Sequence, residues 1–166
     1  MMQMTRRIKT GDIFKFKTSE NRYKFFQYIV KDRSNMNSDV ICIFEKEYDD
    51  SSVEPQCIVD DQKYSFVHTF VNWGLRMNKW SFHANIKVMV DDNIIFRSAK
   101  DYGTHPKEFF VSHNWEVWAI NGPRIYVGSL PKQFYNSYIG EIYGPEVIAQ
   151  KLDTGVDPNI YYPNYE

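Results

Sequence analysis

The chain has 166 residues, of which 43% are hydrophobic and 25% are charged, as is usual for a folded domain. Its 20 basic and 21 acidic residues leave a formal net charge of −1, which disfavours a dedicated duplex-DNA binder because such proteins are distinctly basic. No apolar run is long enough to cross a membrane and no signal peptide follows Arg6 and Arg7, so we expect one cytoplasmic domain over residues 1–166 with no membrane partner.

The N-terminal part of the chain predicts three antiparallel strands. Residues 12–17 alternate between apolar and charged side chains, which is the period of a strand. Residues 22–31 have apolar side chains on both faces, and residues 40–44 form a continuous apolar run, so both segments suit the interior of a sheet. The connections are too short for crossover helices, and we therefore expect an antiparallel meander.

The middle of the chain predicts further extended segments between polar loops. Residues 56–59 are predicted to form a short strand. The β-branched and aromatic side chains of residues 64–71 also favour a strand, which Gly74 is expected to end. Extended structure is predicted again at residues 80–90 and 94–97.

The C-terminal third changes character after a hairpin. Asn121-Gly122 lies between two short apolar segments, 115–120 and 124–127, and this dipeptide is a strong hairpin signal. Apolar residues recur every fourth position at 134–142, which predicts helical turns.

A clearer helix follows near the C-terminus. Pro145 is well placed to begin a helix that runs to about residue 153, and Gly155 can close it. Strands first and a helix last predict an α+β fold, with a mainly antiparallel, strongly curled β-sheet or partial barrel and a C-terminal helix. A short N-terminal tail and a Tyr-rich C-terminal tail flank this domain.

Scattered cysteines and histidines predict neither a metal site nor a catalytic set. Structural zinc needs closely spaced ligands, which Cys42 and Cys57 are not. Cys42 lies in an apolar strand pattern and is expected to be a buried, reduced thiol. His68 and His83 could meet in space, but a lone strand histidine is usually structural. We therefore predict that the chain is not an enzyme and needs no cofactor.

A concentration of carboxylates forms the first candidate binding site. This acidic segment contains Glu47, Asp49, Asp50, Glu54, Asp60 and Asp61. The plainer interpretation is a solvated loop, and the functional one is a docking patch for a basic partner.

Basic and aromatic residues are mixed near the N-terminus. The basic ones are Arg6, Arg7, Lys9, Lys15, Lys17, Arg22 and Lys24, and the rings are Phe14, Phe16, Tyr23 and Phe25. Such a surface could hold single-stranded nucleic acid through phosphate contacts and ring stacking, so a small nucleic-acid-binding β-barrel module is the alternative function. The favoured interpretation places the rings in the core and the lysines in water, which makes nucleic acid the less favoured partner.

Several stretches between about residues 8 and 158 match one protein family. They are Ile8-Lys9-Thr10-Gly11-Asp12-Ile13-Phe14, Arg22-Tyr23-Lys24-Phe25, Phe66-Val67-His68-Thr69-Phe70 with Trp80, Trp115-Glu116-Val117-Trp118 before the Asn121-Gly122 turn, and Pro145, Val147, Leu152, Gly155 and Pro158 at the end. With these features the chain resembles the immunity protein 26 family of bacterial polymorphic toxin systems.

The resemblance implies a protein that binds and neutralises a cognate toxin and needs no catalytic residues of its own. If the toxin is a nuclease, its cleft is basic, and the acidic segment could then mimic a phosphate backbone and speed the encounter. Because a few buried anchors usually dominate tight binding, we expect exposed aromatic anchors at Trp73, Tyr102 and Tyr161.

Overall fold

A computed structural model describes residues 6–89, 93–102, 110–158 and 162–166. In chain order these residues form β1 (Asp12–Lys17), β2 (Tyr23–Asp32), β3 (Ser38–Phe44), α1 (Pro55–Val59), β4 (Tyr64–Thr69), α2 (Val71–Arg76), β5 (Ser81–Asn85), β6 (Ile95–Ala99), β7 (Trp115–Ala119), β8 (Ile125–Gly128), a 3₁₀ turn (Lys132–Phe134), β9 (Tyr138–Ile139) and α3 (Pro145–Thr154). The α+β class and the C-terminal helix are therefore confirmed. Within the described ranges, no helix has the length and apolar character needed to cross a membrane.

The first sheet contains five strands in the order β4-β3-β2-β1-β5. All of these strand pairs are antiparallel, which confirms the predicted meander. The register places Phe14 opposite Phe26, and their rings stack with centroids 5.3 Å apart. Alternating apolar and charged residues in β1 were therefore a sound guide to this part of the fold.

The second sheet contains four strands in the order β8-β7-β6-β9, and it is mixed because β6 and β9 run parallel. Strands β7 and β8 form the predicted hairpin, and Asn121 has the positive φ of 60° that its turn requires. Neither sheet closes on itself. The strands are thus divided between two open sheets, and their pairing does not show the strong curling that was predicted.

The two faces of the first sheet pack against different layers. One face meets the second sheet, where Ile13, Phe25 and Cys42 belong to the same buried cluster as Phe96 and Trp118. The other face is covered by α2 and α3 and by Trp80, as the buried cluster of Phe14, Phe26, Trp80, Ile148 and Leu152 shows. Most rings of the central strands are consequently core residues, as the period of two predicts.

Two short helices replace predicted strand structure. Residues 56–59 belong to α1, not to a strand, because Pro55 occupies the first helical turn and Asp60 N–H donates to Gln56 O at 3.0 Å. The strand prediction for 64–71 holds only through Thr69.

Gly74 does not end an element but lies inside α2. A Cβ atom on this residue would fall within the indole ring of Trp80, so the glycine lets that ring pack directly against the helix backbone. The predicted break at Gly74 was wrong because the glycine is needed for packing against Trp80, which is a tertiary contact that local sequence does not indicate.

Residues 134–142 contain the end of the 3₁₀ turn, irregular backbone and β9 where helical turns were predicted. The backbone of β9 pairs with β6, and Gly140 N–H donates to Arg97 O at 2.8 Å. The i, i+4 pattern was misleading because pairing with a distant strand outweighed it.

The C-terminal helix ends as predicted, and its cap can be tested. Gly155 has a φ of 71° and donates its N–H to Lys151 O at 2.8 Å. Gly155→Ala should lower the free energy of unfolding by about 1 kcal/mol, because a Cβ atom is unfavourable in the left-handed region. Gly155→Asn should cost less, since asparagine tolerates that region better. Urea denaturation of both variants checks this, and equal stability of Gly155→Ala and the wild type would contradict it.

Candidate binding surfaces

The acidic segment is held firmly against the first sheet. Tyr48 forms an antiparallel bridge with Tyr23, with N–H···O distances of 2.8 and 2.9 Å, and its ring packs edge-on against Phe25 at 5.7 Å. The ring atom Nε2 of His83 lies 2.7 Å from the carbonyl oxygen of Val53. The segment therefore presents its carboxylates from a fixed backbone.

Two of the six carboxylates belong to a charge network with the first sheet. Glu47 lies 3.2 Å from the guanidinium of Arg22 and 3.7 Å from the ammonium of Lys24, which is itself buried. Asp49 lies 3.6 Å from Arg22, but its side chain remains 90% exposed. Glu47 thus holds the segment in place, whereas Asp49 remains available to a partner.

Asp61 ties the two ends of the acidic segment together. Its carboxylate accepts hydrogen bonds from the backbone N–H of Lys46 at 2.9 Å and of Lys63 at 3.0 Å. The hydroxyl of Tyr48 also donates to the carbonyl oxygen of Cys57 at 3.2 Å. These bonds hold the two ends of the segment together and give Asp61 a structural role.

The other three acids project into solvent. Asp50 accepts hydrogen bonds from the backbone N–H and the hydroxyl of Ser52, and these bonds, the backbone one most, lower the pKa of its carboxyl. Asp60 accepts a hydrogen bond from Gln56 Nε2 at 2.8 Å. Glu54 is exposed. Within the described part of the chain none of these three has a cationic partner, so the surface offers uncompensated negative charge.

Of the three predicted aromatic anchors, Trp73 lies away from these acids. Trp73 is 54% exposed, but α2 covers the sheet face opposite to the one that Tyr48 packs on. The exposed ring of Tyr102 packs against Tyr162 with centroids 4.6 Å apart. Tyr161 lies outside the described residues.

An exposed ring beside the acidic segment was missed by sequence reasoning. Tyr64 begins β4 just after Asp61, is 37% exposed and packs edge-on against Phe66 at 5.6 Å. The sequence signal that could have indicated this exposed ring was its position between a carboxylate-rich turn and a strand.

A cleft of about 440 Å³ lies on another part of the surface. This basic cleft is lined by Arg6, Lys15, Lys17, Leu75, Arg76, Asn78, Lys79, Trp80, Ser81 and Phe82. Its apolar part includes Trp80, which is 5% exposed and donates its indole N–H to Val71 O at 3.1 Å. The N-terminal segment, β1, α2 and the link between α2 and β5 contribute five cationic residues and no acidic residue to the lining.

The N-terminal rings and the N-terminal lysines therefore lie in different environments. The rings of Phe14, Phe16 and Phe25 are in the core, as the favoured interpretation predicts. Lys15 and Lys17 nevertheless line the basic cleft, where distant segments add further cations.

A buried polar network joins the two sheets. One carboxylate oxygen of Asp32 accepts hydrogen bonds from His68 Nε2 at 2.9 Å and from Trp118 Nε1 at 3.0 Å. The other accepts backbone N–H bonds from Ser34 at 2.9 Å and Asn121 at 3.0 Å. Asp32 and His68 are both fully buried, so this histidine–carboxylate pair lies within the core between the two sheets.

The protonation states of this pair follow from burial and hydrogen bonding. Burial lowers the pKa of His68, and this outweighs its hydrogen bond to Asp32 and the charge of that carboxylate. Burial alone would raise the pKa of Asp32, but the hydrogen bonds from His68, Asn121, Trp118 and Ser34 lower it overall. Neutral His68 therefore donates to an ionised carboxylate.

The described cysteines and histidines remain apart. Cys42 is buried and Cys57 exposed, both are free thiols, and burial together with the charge of Asp61 raises the pKa of the Cys42 thiol. His68 and His83 have separate partners. Across the described ranges, no three His, Cys, Asp or Glu side chains are grouped so that they could hold a metal ion.

Comparison with known proteins gives no relative for this chain. No family model, no curated protein and no solved structure matches it.

Proposed function

We propose that this chain is an immunity protein that binds a cognate bacterial toxin and neutralises it by covering its active site. The proposal rests on the family resemblance of the sequence and on one structural observation: the acidic segment holds exposed carboxylates on a rigid backbone. Binding of this kind involves no covalent step by the protein itself. The partner that fits such a surface is a basic protein, and a nuclease is one class of toxin with a basic cleft.

Electrostatics supports this surface in a specific way. Asp50, Glu54 and Asp60 are exposed without cationic partners among the described residues, and Asp49 keeps most of its surface in water. Complementary charge of this kind mainly accelerates association, because it steers the two proteins toward each other before contact. Since the segment is already ordered by its contacts to the first sheet, little conformational entropy has to be lost on binding.

Charge alone does not supply the affinity that protection of a cell requires. A nanomolar dissociation constant corresponds to about −12 kcal/mol, and a few desolvated anchors usually contribute most of it. Tyr64 is the exposed ring that follows the acidic segment directly, and we include it in the proposed interface. Trp73 lies on an element that covers the opposite face of the first sheet and is not an adjoining anchor, whereas Tyr102 stays a predicted anchor.

Neutralising the exposed acids should slow association with the cognate toxin. In the triple variant Asp50→Asn, Glu54→Gln and Asp60→Asn, we expect an association rate about tenfold lower at low salt, because long-range steering is lost. The difference should shrink at high salt, where screening removes steering from the wild type as well. Stopped-flow mixing at several salt concentrations measures both effects.

A matched control separates local charge from net charge. The variant Glu20→Gln, Glu146→Gln and Glu166→Gln changes the net charge by the same amount at exposed positions outside the acidic segment. It should retain most of the wild-type association rate. Equal slowing of both triple variants, or no slowing of either, would remove the acidic segment from the proposed interface.

A further inference from the structure

We propose that the basic cleft is a second binding site, for a nucleotide unit that is either free or part of single-stranded nucleic acid. This site goes beyond toxin binding and lies on other residues than the acidic segment. Its ligand chemistry, phosphate attached to a planar base, follows from the combination of cations and rings in one cleft.

Three cations of the cleft have no acidic partner in the described part of the chain. Lys17, Arg76 and Lys79 line the cleft, and none of them has an acidic partner within the described residues, whereas the ammonium of Lys15 lies 5.8 Å from the ring centroid of Tyr23, outside the lining. The fifth cation, Arg6, contacts the buried carboxylate of Asp12 at 3.5 Å. Three uncompensated positive charges around one cavity repel one another, and a phosphate-bearing ligand would relieve this repulsion.

A stacked pair at the rim of the cleft supplies a platform for a base. The guanidinium of Arg6 lies 3.5 Å from the ring centroid of Phe82, and the Arg6 side chain is 43% exposed. Nucleic-acid bases stack on aromatic rings and on guanidinium planes. The apolar walls formed by Leu75 and Trp80 favour a ligand that is partly apolar, which distinguishes a nucleotide from inorganic phosphate.

The size of the cleft limits the ligand. Its volume of about 440 Å³ lies within the range of small-ligand sites, which is about 300–1,000 Å³. A single nucleotide unit fits such a volume, whereas duplex DNA does not enter it. Because acidic residues elsewhere bring the net charge of the chain to −1, the overall charge gave no indication of this basic cleft.

Fluorescence anisotropy with a labelled single-stranded oligonucleotide tests the site. The wild type should bind an oligouridylate or oligothymidylate in the micromolar range at about 50 mM salt. The triple variant Lys17→Gln, Arg76→Gln and Lys79→Gln should bind at least tenfold more weakly. If each lost cation contacts one phosphate, the slope of log affinity against log salt should fall by about 2.

Matched variants keep the result interpretable. The control Arg33→Gln, Lys63→Gln and Lys132→Gln removes the same charges at exposed positions outside the cleft and should bind within twofold of the wild type. Phe82→Leu keeps an apolar side chain but removes the ring, and should weaken binding about tenfold. Circular dichroism of each variant confirms that the fold is retained.

Competition identifies the source of the nucleotide. Displacement of the oligonucleotide by adenosine monophosphate at comparable concentration assigns the site to free nucleotides, whereas binding that requires several linked units assigns it to single strands. Either result supports the proposal. Absence of binding at low salt, equal loss in the control variant, or equally tight binding of polyglutamate would overturn it.

Discussion

Replacing Asp32 with asparagine should lower the free energy of unfolding by about 4 kcal/mol. The carboxylate accepts four hydrogen bonds in a fully buried site, and two of the donors are the side chains of His68 and Trp118. An asparagine amide group turns its N–H groups toward two of these donors and leaves them unsatisfied. Each buried unsatisfied group costs about 1–3 kcal/mol, and loss of the ionised acceptor weakens the remaining bonds.

Urea denaturation monitored by tryptophan fluorescence measures this loss. Asp49→Asn is the control, because that side chain is 90% exposed and its removal should change stability by less than about 0.5 kcal/mol. A loss below about 1 kcal/mol for Asp32→Asn would show that the network does not join the two sheets energetically.

Acidification from pH 7 to pH 5 should destabilise the protein through His68. In the unfolded chain the imidazole has its ordinary pKa of about 6.5, whereas burial lowers that pKa in the folded state. Below about pH 6.5 the unfolded chain therefore takes up a proton that the folded chain does not, and stability falls as the pH falls. One such proton changes the free energy of unfolding by at most about 1.4 kcal/mol per pH unit, or about 2 kcal/mol by pH 5.

His68→Gln isolates this contribution. The glutamine amide can occupy the position of Nε2 and donate to Asp32, but it does not titrate. Between pH 6.5 and pH 5 its free energy of unfolding should therefore decline less steeply than that of the wild type. Identical slopes for the two proteins would contradict a lowered pKa at His68. The lowered pKa of Asp32 acts in the same direction, but only as the pH falls through about 3.8 and below.

The strands of the first sheet could be predicted because their signal is local. Alternation in β1 reflects a side-chain period of two, and the apolar run in β3 reflects burial on both faces of the sheet. Neither signal needs knowledge of the rest of the chain. The ends of α3 were equally local, since Pro145 and Gly155 mark them by backbone chemistry. These elements account for most of what the sequence indicated correctly about the fold.

The short helices could not be recognised in the same way. Helices α1 and α2 have five and six residues, too few for a helical period to stand out. Gly74 was interpreted as a breaker, although its role is to admit the ring of Trp80 against the helix backbone. That contact depends on tertiary packing, which outweighs local propensity.

The candidate surfaces were only partly visible in the sequence. Carboxylates close together in the chain identified the acidic segment, but the pairing of Glu47 with Arg22 and Lys24 connects different elements and removes one acid from the free surface. The basic cleft is lined by Lys15 and Lys17 together with Arg76 and Lys79. The two pairs are too far apart in the chain for a local sequence pattern to contain all four. Mixed basic and aromatic residues at 76–82 were the signal that could have extended the N-terminal pattern.

The most direct test of the proposed function is calorimetric titration of this chain with the cognate toxin that the proposal requires. We predict a 1:1 complex with a dissociation constant near the nanomolar range, loss of toxin activity in proportion to the complex formed, and unchanged intact masses of both proteins. Inhibition without a stable complex, a covalent change in the toxin, or the absence of binding would contradict a protein that acts by occlusion alone.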